Sequence, residues 1–142
     1  MFGNDRDSIR RYYCTVWSKA SAAQPLEPLE RLIAEVIGAH PEYQALLGDA
    51  DAILNRDYWP EMGETNPFLH MGMHIALREQ LGSNRPDGIR AIHRQLCRRV
   101  GEAHAAEHLM IECLGATLWE AQKAGRQPDE RAFLERLQQL LR

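Results

Sequence analysis

Apolar positions recur along this chain at intervals of three and four residues, the spacing that gathers side chains onto one face of a helix. Ile9, Tyr13, Val16 and Trp17 form the first such stripe and predict a helix from about Asp5 to Ser21. Pro25 and Pro28 open a second helix carrying Leu29, Leu32, Ile33, Val36 and Ile37, which stops at Gly38. His40 precedes Pro41, and a residue before proline is pushed out of the α region. A short helix from Pro41 to Leu47 is therefore expected, with His40 at its N-terminal break. Residues 48–66 show no periodicity apart from room for a short helix around Ala50–Leu54, and they are acidic with Tyr58, Trp59 and Met62 among them. A loop of that length in a compact domain suits a lid over a site.

The second half is more regular. Asn66-Pro67 joins a capping residue to a proline at the first helical position, and the helix it starts should reach Gly82. Pro86-Asp87 begins another, striped by Ile89, Ile92, Leu96, Cys97 and Val100 and closed at Gly101. A long apolar helix runs from Glu102 to Ala124 before Gly125. Pro128-Asp129-Glu130 opens the last, with Phe133, Leu134, Leu137, Leu140 and Leu141 on its face. Leucine occurs 17 times, valine and threonine only three times each, so β-branched residues are scarce where helix formers abound. The expected fold is all-α: a single domain over residues 1–142, built as a bundle of five to six helices.

Charge narrows the function classes. With 26% charged residues and a net charge of −3, the chain has no global basic field, so neither nucleic acid nor an anionic membrane is implied as partner. Arg85, Arg90, Arg94, Arg98 and Arg99 with His93 make one basic patch, which reads as a solvated helix face. No window approaches the ~20 apolar residues that cross a bilayer. The opening MFGNDRDSIRR carries no apolar signal run, and Cys14, Cys97 and Cys113 are odd in number and widely spaced. Reduced thiols in a cytoplasmic protein are the expectation.

The chemistry sits in the histidines. His70/His74 and His104/His108 are two pairs four residues apart. On a helix such residues share a face about 5–6 Å apart, close enough for two imidazoles to hold one metal ion. His70 and His74 share a stripe with Leu77 and Leu81; His104 and His108 share one with Ile111, Gly115, Leu118 and Trp119. Both pairs should thus face inward, where a polar group lacking a partner costs about 1–3 kcal/mol. A divalent transition metal, zinc or iron, would satisfy them, with Glu112 one turn beyond His108 as a further carboxylate ligand. The alternative is a hydrogen-bonded polar core inside a non-enzymatic interaction domain. The helix over 128–141 would then serve as a surface for a protein partner or for a second copy of the chain. HAAEH at 104–108 fits the string of inverted zinc peptidases, but only 34 residues follow it, too few for their distant third ligand.

Four segments together suggest a family. They are DSIRRYYCTVW at 7–17, HPEY at 40–43, RDYWPEMGETNPFLHMGMHIALREQ at 56–80 and HAAEHLMIECLGATLWEAQ at 104–122. The chain resembles, over nearly its whole length, the bacterial family catalogued as domain of unknown function 1841, and NPFLHMGMH at 66–74 carries the resemblance most specifically. The resemblance implies an all-helical cytoplasmic protein and assigns it no activity. All four paired histidines fall inside the matching segments.

Overall fold

The computed structural model describes residues 6–48 and 66–142. The described residues form seven helices and no strand, so the all-α expectation holds and the helix count is slightly above the expected five to six. They are α1 (Arg6–Ser21), α2 (Pro28–Gly38), α3 (Pro41–Leu47), α4 (Pro67–Ser83), α5 (Ile89–Val100), α6 (Ala103–Ala124) and α7 (Glu130–Gln139). The lid expected over 48–66, with its short helix and Trp59 and Met62, lies almost wholly outside the described residues. No described helix is long and apolar enough to cross a membrane.

The chain divides into two compact units, Met1–Gly72 and Met73–Arg142, and α4 passes from one to the other. In the first unit α1, α2 and α3 pack on one another. Tyr13 and Val16 of α1, Ile33, Val36 and Ile37 of α2, and Leu47 of α3 are buried there. Ile9, placed on the core stripe by spacing, is 38% exposed. The start of α2 is built as a reciprocal cap: the Glu27 side chain accepts from the backbone of Glu30, and the Glu30 side chain accepts from the Glu27 backbone. Lys19 of α1 donates to both Glu30 oxygens at 2.9 Å, tying α1 to the head of α2.

In the second unit α5, α6 and α7 pack pairwise. Leu77, Ile89, Ile92, Leu96, Ala106, Met110, Ile111, Leu114, Phe133 and Leu137 form its core. Two helix starts differ from the spacing-based reading for a local reason. Gly88 holds a left-handed φ of 97°, which no right-handed helix can contain, so α5 begins at Ile89 rather than at Pro86. Glu102 is the cap of α6 rather than its first residue, and its carboxylate accepts from the backbone of His104 at 3.0 Å and Ala105 at 2.6 Å. Gly101 closes α5 at φ 88°, as expected of a glycine there. Asp129 caps α7 in the same way as Glu102 caps α6, accepting from Arg131 and Ala132.

Candidate functional site

The first unit brings His40 to His70. Pro41 keeps His40 off the helical backbone, at φ −125° and ψ 74°, so its ring leaves the chain at the corner between α2 and α3. The ring is wholly buried, and Nδ1 lies 2.7 Å from the Val36 carbonyl oxygen. A carbonyl only accepts, so Nδ1 carries the hydrogen and the neutral ring keeps its lone pair on Nε2. That Nε2 is 3.1 Å from Nε2 of His70. Tyr43 stacks on His40 with ring centroids 5.3 Å apart, and the His70 ring meets His40 edge-on at 5.0 Å. Two ring nitrogens so close share a hydrogen, or they share an ion. Ligands bonded at ~2.0–2.1 Å stand about 2.9–3.4 Å apart, depending on the angle between them. The observed separation falls within that range.

His70 is placed by the start of α4. Asn66 accepts from the backbone of Phe68 at 3.0 Å and Leu69 at 3.4 Å, which fixes the first turn. One turn further along α4 comes His74, in the second unit and fully buried.

The second unit is organised around Glu107. This carboxylate lies on the buried stripe of α6 with Met110, Leu114, Thr117 and Ala121. His74 Nε2 donates to Oε1 at 2.7 Å, Arg78 Nε donates to the same oxygen at 3.2 Å, and His93 Nε2 donates to Oε2 at 3.1 Å. Burial alone would push the Glu107 carboxyl up; hydrogen bonds from His74 and His93 and the charge of Arg78 outweigh it and draw the group down to about 2. A carboxylate accepts only, so the neutral His74 ring carries its hydrogen on Nε2 and its lone pair on Nδ1. His104 and His108 lie beside it, their rings 4.1 Å apart at the centroids and 5.6 and 5.8 Å from that of His74. Imidazoles sharing one ion have centroids about 4.5–5.3 Å apart, and these separations lie just outside that range on either side.

One expectation for α6 is corrected. Leu118 and Trp119 do not share an inward face with the histidines, being 39% and 60% exposed. The buried line runs through Thr117 and Ala121, and Trp119, two residues from each, points about 160° away. Lys123 packs over its ring at 4.8 Å. Glu112 is exposed and lines a shallow surface groove with Leu109, Cys113, Ala116 and Arg136. Of the expected ligands, the structure therefore gathers His74, His104 and His108 in one unit, sets His70 against His40 in the other, and leaves Glu112 at the surface.

Local spacing marks His40 only as a helix-end residue and gives Glu107 no leading role. The signal for Glu107 was present: it stands at the head of the i, i+3, i+7 row through Met110 and Leu114, an acid on an apolar stripe. His93, on the basic helix, is part-buried and hydrogen-bonded to Glu107. Its Nε2 also lies 3.5 Å from Cys97 Sγ, but that nitrogen already carries the hydrogen given to Glu107 and cannot take the thiol proton. Burial pushes the Cys97, Cys113 and Cys14 thiols up, so none is an activated nucleophile. All three cysteines are free.

The model of a family described as Domain of unknown function (DUF1841) matches residues 5–139. No curated protein and no solved structure matches the chain.

Proposed function

The chain belongs to the DUF1841 family, and from that premise, which carries no chemistry with it, we propose that it binds a divalent transition-metal ion through its histidines. The candidate ligands are His74, His104 and His108 in the second unit and, as a pair of their own, His40 and His70 in the first, while Glu112 stands at the surface. One observation carries the reading. His40 and His74 each give one ring N–H to a fixed acceptor, the Val36 carbonyl and the Glu107 carboxylate, and keep the other nitrogen as a lone pair. That is the arrangement in which metal-bound histidines are held, because the outer hydrogen bond fixes the tautomer and strengthens the donor. The 3.1 Å approach of the His40 and His70 nitrogens supports it further. A neutral imidazole set suits zinc or iron. An ion with one open position would act as a Lewis acid on water or on a bound carbonyl or phosphoryl group. Three free thiols fit a reducing, cytoplasmic setting.

The test is the metal content of protein purified without a histidine tag, measured by plasma mass spectrometry. Near-stoichiometric zinc or iron, lost in His74→Ala, is the expected result. A folded chain that carries no metal and takes up none when offered zinc, iron, nickel or manganese sinks the reading.

A second reading has its own support. The Glu107 network gives His74, Arg78 and His93 each a hydrogen-bond acceptor without any ion. In an interaction domain the histidines would be a polar core, and the exposed side of α7 would meet a protein partner or a second copy. Chelators would then leave the melting temperature unchanged.

A further inference from the structure

We infer that Glu107 is a positioning residue of the second unit's metal centre: it presents His74 as an Nδ1 ligand. This rests on the metal-binding reading above.

The argument is one of occupied atoms. Glu107 has two oxygens, and both are engaged: Oε1 takes His74 and Arg78, and Oε2 takes His93. The donors come from two helices, α4 and α5, while the carboxylate stands on α6. Three donors therefore fix the orientation of the carboxylate, and the carboxylate fixes that of His74. The Arg78 guanidinium at 3.2 Å from Oε1 sets a permanent cation beside this oxygen, so the oxygen is a poor ligand for a dication. Glu107 works through His74 instead. The short 2.7 Å bond assigns the Nε2 hydrogen of His74 and leaves Nδ1 as the coordinating nitrogen. His40 has the reverse arrangement, since its Nδ1 hydrogen goes to the Val36 carbonyl and its Nε2 faces His70. A negatively charged acceptor also makes the bound imidazole a stronger donor than a carbonyl does, so loss of the Glu107 charge weakens the metal more than it disturbs the ligand count. His93, held by the other oxygen, keeps the carboxylate from turning away.

The test is a zinc titration of the chelator-stripped full chain, read by long-range proton–nitrogen spectra with 15N-labelled histidine; the His74 signals are identified by their loss in His74→Gln. Zinc on Nδ1 with a protonated Nε2 is the expected signature for His74. For Glu107→Gln, zinc affinity should fall about 10–100-fold at unchanged stoichiometry. Zinc on Nε2 of His74, or a Glu107→Gln affinity within twofold of wild type, overturns the inference while leaving metal binding intact. Wild-type protein that binds no zinc overturns both. Should Glu107→Gln not fold, the wild-type spectrum decides alone, and Glu107→Asp, which keeps the charge but shortens the reach, should still bind zinc more weakly than wild type.

Discussion

Replacing Glu107 by alanine in metal-free protein tests the core of the second unit. The carboxyl is drawn from its ordinary 4.5 to about 2, a difference of about 2.5 pH units. At 1.36 kcal/mol per unit this amounts to roughly 3 kcal/mol of folding free energy. Removing one partner from a buried charged network generally costs about 3–5 kcal/mol, and here it leaves His74, Arg78 and His93 facing a void. The pH dependence has a definite sign. A carboxyl whose folded value is depressed stabilises the protein above its ordinary range, and that contribution drains away as acid brings the pH from about 4.5 down towards about 2. The assay is urea unfolding followed by far-ultraviolet circular dichroism, with chelator present, at neutral pH and at steps down to about pH 3. Wild type should exceed Glu107→Ala by about 3 kcal/mol at neutral pH, and the gap should narrow steadily below about pH 4.5. A gap under about 0.5 kcal/mol at neutral pH, or one that stays constant into acid, refutes the reasoning.

Three further outcomes are expected. Leu137 is fully buried in the second-unit core, so Leu137→Ala should cost about 2–5 kcal/mol in the same unfolding assay. Asp129→Ala removes the acceptor for the first backbone N–H groups of α7 and should cost about 0.5–2 kcal/mol, with most of the lost ellipticity helical. Trp119, at 60% exposure, should be replaceable by glutamine with a stability change within about 0.5 kcal/mol, and an acrylamide quencher should reach it freely in the native state.

Helix periodicity made most of the architecture legible. The stripes of α2, α5 and α7 were read from i, i+3, i+4 spacing, and their termini from Pro28, Gly101 and Asp129, because each helix buries one apolar face and its ends need local caps. The errors occurred where two rows compete on one helix. On α6, His104 and His108 suggested a face through Leu118 and Trp119, whereas the core selects the row through Glu107, Met110 and Leu114. The acid on that row gives no local sign of its role, because its three hydrogen-bond donors come from distant positions, His74, Arg78 and His93, which no local pattern joins. His40 was undervalued for a related reason. Proline at 41 explains why the helix breaks there, but not that the break aims a buried ring at a histidine thirty positions further along. For Glu112, one-turn spacing from His108 does not distinguish a ligand from the surface residue it is here.

The most direct test of the central claim is a cobalt(II) titration of the chelator-stripped chain, followed by visible absorption. Metal binding through these histidines predicts ligand-field bands that grow to a sharp stoichiometric break, are displaced by zinc, and vanish in His74→Ala. Absorbance that stays that of the aquo ion, with no break and no rise in melting temperature on adding metal, would contradict it.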